Sequence, residues 1–265
     1  MFVLKDLVAW GKFLMGAFFV CLAVCSARAE LTLRPYAPDV ATSLTLHTCT
    51  HIAFLKKDEI ISDLGHSRFV FRPMGSSSPW RVSTAPVLKQ HSVTLGGDGL
   101  YYAADTEHHR LLTFASLSAD QFSSATMIAR QPLNRPHDVL FNPADGWLYV
   151  IDGNRRLYRL HGLGKDESFI QFSPEQMAYA RSLSLMDGKV HVINSNHGQV
   201  IRIDDYDQRK WTVLRSPGKK KIDPAGSWDT SGLVLNDVEF YKGYYYGSNF
   251  FSQDYADRKS TRLNS

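Results

Sequence analysis

The sequence predicts an all-β protein, a β-propeller of six-bladed design with about five blades present. Three observations predict it. A plan of alternating strand, Gly-containing turn, aromatic-rich strand, polar turn and third strand recurs along the chain. Each copy closes its middle strand on an acidic or amide marker, at Asp63, Asp105, Asp152, Asn194 and Asn249. The markers are 42, 47, 42 and 55 residues apart, the length of a blade of four short strands.

The first copy is faint, ending Ile60-Ile61-Ser62-Asp63 and continuing Arg68–Phe71. The second runs Val93–Leu95, a Gly96–Gly99 turn, Leu100–Asp105 and Arg110–Phe114. The third is clearest: His137–Phe141, a turn over Asn142–Gly146, Trp147–Asp152 and Leu157–Leu160. Asn, Asp and Gly supply the hairpin chemistry; the strands are rich in β-branched and aromatic residues. The fourth copy spans Leu183–Leu185, Val190–Asn194 and Val200–Ile203, and the fifth starts at Asn236-Asp237 and reaches Asn249. Ser173-Pro174-Glu175-Gln176 and Ser118–Gln121 read as helical turns, the former with a capping serine, a first-turn proline and a reach-back glutamine.

Residues 1–29 read as a cleavable export signal: Lys5 and Lys12, an apolar stretch from Phe13 to Val24, then Ala27-Arg28-Ala29. The apolar run is about 12 residues, short of the roughly 20 that a spanning helix needs. A secreted or periplasmic protein with no membrane span after cleavage is expected. Only Cys49 follows the signal, so an internal disulfide is excluded; in its apolar context it reads as a small buried residue. The chain has 30 basic and 26 acidic residues. The excess sits in the signal and in the last nine residues, which leaves a near-neutral middle and argues against a nucleic-acid surface. Lys219-Lys220-Lys221 reads as a solvated loop tip.

The propeller is expected over 30–257. Residues 258–265, Arg-Lys-Ser-Thr-Arg-Leu-Asn-Ser, resemble translated sequencing-adapter read-through. Together with the repeat count, this points to a chain interrupted before its ring closes.

Residues at the start of each innermost strand point toward the mouth of a central channel. Aligning the copies puts His91, His137-Asp138, Arg181-Ser182 and Asn236-Asp237 at equivalent positions, polar residues on otherwise apolar strands, as in a convergent site. His108-His109 reads as surface loop. No nucleophile elbow, zincin motif or phosphate loop is present.

From about Ile60 to Phe251 the repeats resemble the NHL and gluconolactonase/paraoxonase-like six-bladed propellers. "RPHDVLFNPADGWLYVIDGNRRLYRL" is similar to an NHL repeat, and "LNDVEFYKGYYYGSN" to a paraoxonase segment. The resemblance implies two readings. In one, the mouth binds a small molecule or protein through His91, Asp138 and Arg181, the arginine suiting an anion such as a carboxylate. In the other, Asn236 and Asp237, with Asp138, hold Ca2+ and His137 serves as general base in calcium-dependent hydrolysis of a lactone or ester. Against both stands a structural role for the same residues, bonding loop backbone between blades.

Overall fold

The computed structural model describes residues 44–214, 235–241, 244–249 and 261–263. The expected signal over 1–29 and the Lys219–Lys221 run lie outside the described residues. Four four-stranded antiparallel sheets and one three-stranded sheet follow one another along the chain, each in simple up-and-down order. Blade 1 is β1 (Cys49–Leu55), β2 (Asp58–Asp63), β3 (Arg68–Pro73) and β4 (Arg81–Val82). Blade 2 is β5 (Val93–Leu95), β6 (Tyr101–Asp105), β7 (Arg110–Phe114) and β8 (Ser123–Ala125). A small hairpin, β9 (Met127–Ile128) and β10 (Gln131–Pro132), leads to blade 3: β11 (Asp138–Asn142), β12 (Trp147–Ile151), β13 (Arg156–Leu160) and β14 (Ser168–Gln171). Blade 4 is β15 (Ala180–Met186), β16 (Lys189–Asn194), β17 (Gln199–Asp205) and β18 (Lys210–Leu214). In blade 5, β19 (Leu235–Tyr241), β20 (Tyr244–Asn249) and β21 (Thr261–Leu263) pair in that order. This is the blade array of a β-propeller. Among the described residues no helix is long and apolar enough to cross a membrane.

Period-two alternation explains the packing, because each strand must bury both faces. On β6, Tyr101 and Ala103 join Ile60, Phe69 and Phe71 of blade 1, while Tyr102 and Ala104 join Val139, Leu148 and Val150 of blade 3. On β12 the other face, Tyr149 and Ile151, meets Leu183, Val192 and Ile201 of blade 4. Met186, Ile193 and Val200 then meet Leu235 and Val238 of blade 5. Each fully buried aliphatic or aromatic side chain contributes roughly 1.5–3 kcal/mol. Between blades 3 and 4, the Arg159 guanidinium lies 4.3 Å from the Trp147 ring and 4.2 Å from that of Tyr206, and Asp207 pairs with its outer end.

The repeated marker clamps the segment leading into its own blade. Asp105 is fully buried. It accepts the Leu88 amide at 2.7 Å, Arg110 Nε at 2.7 Å and His108 Nδ1 at 2.9 Å, while Arg110 also donates to the Pro86 carbonyl. Asp63 repeats the pattern with His47, Arg68, His66 and the Thr45 carbonyl. Burial pushes the Asp63 carboxyl up, but the His47 amide, Arg68 and His66 together hold it below the usual carboxylate range. Blade 4 does the same without charge: Asn194 accepts the Ala178 amide and donates to the Gln176 carbonyl, with Gln199 in the place of the arginine. The markers thus serve a structural role within their own blades, and His108 belongs to the clamp.

Ser173–Gln176 forms a single turn. The Gln176 side chain accepts the Ser173 amide at 2.8 Å, the reach-back expected of a capping box, but the turn does not continue into a helix. Cys49 corrects an expectation. It is exposed, because it stands at the outer end of β1, before the strand enters the packing between sheets.

Candidate functional site

The innermost strands β1, β5, β11, β15 and β19 lie side by side in that order. Strand register identifies equivalent residues around them. Opposite the residue before each marker stand His51, Ser92, Asp138, Ser182 and Asp237, a lower ring. One residue earlier stand Thr50, His91, His137, Arg181 and Asn236, an upper ring. The aligned residues of the sequence therefore do occupy equivalent stations. Three stations are set by β-bulges, at Thr50, Arg181 and Asn236, a device that re-aims a side chain. The other two follow a residue with positive φ, Lys89 at 50° and Arg135 at 48°. That left-handed turn brings each carbonyl to the histidine two residues on: Lys89 O is 3.3 Å from His91 Nδ1, and Arg135 O is 2.7 Å from His137 Nδ1.

Ring residues join each blade to the next through backbone groups. Thr50 Oγ1 donates to the His91 carbonyl at 3.0 Å. Ser92 Oγ accepts the Val139 amide at 3.0 Å, and Asp138 Oδ2 accepts the Leu183 amide at 2.7 Å. Ser182 Oγ donates to the Asn236 carbonyl at 2.9 Å.

The histidine tautomers follow from their partners. A carbonyl can only accept, so His137 Nδ1 carries hydrogen and Nε2 accepts the hydroxyl of Tyr179. Thr106 Oγ1 donates to the Pro136 carbonyl at 2.7 Å and therefore accepts from His91 Nδ1 at 3.0 Å. The two imidazoles stack, with centroids 4.7 Å apart. Burial pushes His91 down to about 3, helped by His137 and Arg181. Burial also pushes His137 down to about 4, against the Arg135 carbonyl and with the Arg181 charge. Both are neutral at pH 7, so Arg181 is the one charged residue of the upper ring. Burial lowers the Arg181 pKa and raises that of Tyr179, and the guanidinium pulls the phenol part of the way back.

Below, burial pushes Asp138 up to about 6, against hydrogen bonds from Ser92 and the Leu183 and Val139 amides. Burial and the Asp138 charge raise Asp237, against His51. His51 is lowered by burial, against Asp237.

This donor set does not fit the calcium site expected at Asn236, Asp237 and Asp138. Calcium takes six to eight oxygens. Both Asp138 oxygens accept amides. Asp237 Oδ1 accepts the Val238 amide and lies within hydrogen-bond reach of the Ser182 and Ser184 hydroxyls, and the Asn236 carbonyl accepts Ser182. Among the described residues no three His, Cys, Asp or Glu side chains gather as a metal site. Asp138, expected to bind ligand, is buried and committed to the blade junction.

Sequence reasoning missed Thr50-His51 and Tyr179. The marker spacing carried a signal for the first pair, since Thr50 lies 13 residues before Asp63, as Arg181 lies before Asn194. Tyr179 stands two residues before its ring position, where the neighbouring blades carry Lys89 and Arg135. An open groove of about 560 Å³ beside β13 and β14, lined by Asn154, Arg155, Gln171 and Phe172 among others, contains no ring residue.

No family profile matches the chain, and no curated protein matches it. Solved structures do. A virginiamycin B lyase from Staphylococcus aureus is 14% identical, with 82% of this chain and 69% of that chain covered and a TM-score of 0.54. A gluconolactonase-like protein is 16% identical over 77% and 72%, with a TM-score of 0.58. A chain of a nidogen–laminin complex is 12% identical over 83% and 81%, with a TM-score of 0.60. At such identities the likeness is one of fold, and the fold is the β-propeller.

Proposed function

We propose that the channel mouth binds a small anionic organic molecule, with Arg181 as its counter-charge, in a protein exported through residues 1–29. The observation that carries this is the composition of the upper ring. Thr50, His91, His137 and Asn236 are neutral, and Arg181 is drawn partly out of water among them. A guanidinium in such surroundings favours a planar carboxylate or a phosphate, which it can bind through two parallel hydrogen bonds. The partly exposed His91 and Tyr179 add polar contacts and ring faces without competing for charge. Structural likeness to a lyase of a small antibiotic and to a gluconolactonase-like protein supports a ligand site on this fold, and names no ligand for it.

Thermal melts with a panel of carboxylates and phosphates, each beside its uncharged amide or alcohol, test the reading. Ligand at about 100-fold its Kd stabilises the native state by about 2.7 kcal/mol. The expected result is a melting shift for anions only, lost in Arg181→Met. Equal shifts in the wild type and in a folded Arg181→Met would refute it.

A further inference from the structure

We infer that His91 is the subsite that receives an O–H of the ligand, so that the mouth takes a hydroxy acid; this rests on the anion-binding reading above. Hydrogen-bond directions carry it. Thr106 Oγ1 spends its hydrogen on the Pro136 carbonyl. His91 Nδ1 lies 3.0 Å from that Thr106 oxygen and 3.3 Å from the Lys89 carbonyl. Both partners accept, so the ring's hydrogen stands on Nδ1 and Nε2 keeps a lone pair. Among the described residues nothing donates to that nitrogen, and it is not sealed in.

The next station shows what such a nitrogen takes. His137 carries its hydrogen on the same Nδ1, and its Nε2 accepts the Tyr179 hydroxyl. The two imidazoles stack, with centroids 4.7 Å apart. His137 is buried and served from within the chain, whereas His91 is partly exposed and takes its hydroxyl from outside. In the free protein solvent serves that nitrogen. A ligand that displaces solvent must bring its own donor or leave the acceptor bare. Arg181 only donates and His91 Nε2 only accepts, so the two ends of the ligand cannot exchange places. A carboxylate oxygen set against Nε2 would meet lone pair with lone pair. An ammonium would put a second cation near Arg181, whose charge is felt at His91; a hydroxyl brings none. Burial keeps the imidazole neutral, so the demand for a donor holds at neutral pH.

Calorimetric titration of the full chain at pH 7.5 tests this. The probes are 3- and 4-hydroxybenzoate and 3- and 4-hydroxybutanoate, each beside its methyl ether and its parent acid without the hydroxyl. At least one hydroxy acid is expected to bind at least tenfold tighter than both of its controls, because the controls leave the acceptor unmet. His91→Asn places an amide nitrogen where Nδ1 stood, keeps a donor for Thr106 and lacks Nε2. In it the hydroxyl preference is expected to fall below threefold. Hydroxy acids, ethers and parent acids that bind the wild type alike overturn the inference and leave anion binding standing. A preference that persists in a folded His91→Asn also overturns it. Should that variant not fold, 15N shifts of His91 in the wild-type protein decide: hydrogen on Nε2 overturns the inference, hydrogen on Nδ1 supports it. Neutral 4-hydroxybenzamide separates the two readings. If it binds as tightly as 4-hydroxybenzoate and is preferred to 4-methoxybenzamide, anion binding falls and the His91 subsite stands. No binding by any of these compounds sinks both.

Discussion

The imidazole of His137 lies over that of His91, with planes 23° apart, and both are held neutral by burial and by the nearby Arg181 charge. The unfolded chain takes up protons near pH 6.5, whereas folded His137 waits until about 4. Its contribution to stability is therefore complete above 6.5 and falls away as the pH drops toward 4, by on the order of 3 kcal/mol. Relative to wild type, His137→Gln should gain that amount between pH 7.5 and 4 in urea titrations. Parallel curves for the two proteins would contradict the assignment.

Asp138 acts in the opposite sense. Its folded carboxyl protonates near 6, above its unfolded value of 3.8. Its contribution is complete below 3.8 and is lost as the pH rises through 6. Asp138→Asn should therefore lose stability relative to wild type as the pH falls from 7 to 4, by on the order of 3 kcal/mol. The opposite slope would show that the carboxyl is not held away from water as described.

The marker clamp predicts a non-additive pair. Asp105→Asn alone leaves the Arg110 guanidinium without its buried counter-charge and should cost about 3–5 kcal/mol. Adding Arg110→Gln converts the clamp to the neutral form that Asn194 and Gln199 already provide in blade 4. The double variant should be more stable than Asp105→Asn. A double-mutant cycle with no coupling would show that the two residues act independently.

Arg159 sets ring faces against an ion pair. Its side chain is 14% exposed and that of Asp207 is 75% exposed. Asp207→Ala should cost little, and that little should fade in salt. Arg159→Ala removes the stem packed between Trp147 and Tyr206 as well as the cation–π contacts, and should cost about 2 kcal/mol or more. A larger effect at Asp207 would reverse the ranking.

The strands, the markers and four of the five mouth stations were legible because period-two alternation and a recurring marker are local patterns. Tyr149 and Leu148 announce two faces whichever blades they meet. His51 was not legible, since its blade lacks a strong turn signal and its strand is bulged at Thr50. Tyr179 lies outside any strand, and only the tertiary meeting with His137, 42 residues away, gives it meaning. Calcium was expected from the family resemblance at Asn236-Asp237 and His137. The bonds that occupy those oxygens from neighbouring blades, from Leu183, Ser182 and Ser184, cannot be read from spacing.

The joints between innermost strands have a consequence for how such a chain can change. In each, a side chain of one blade grips a peptide group of the next, from Thr50 on the His91 carbonyl to Ser182 on that of Asn236. A peptide group is the same whatever residue bears it. Each joint thus makes no demand on its neighbour's side chain. The joints hold equally well under threonine, histidine, arginine and asparagine, and these share a single ring.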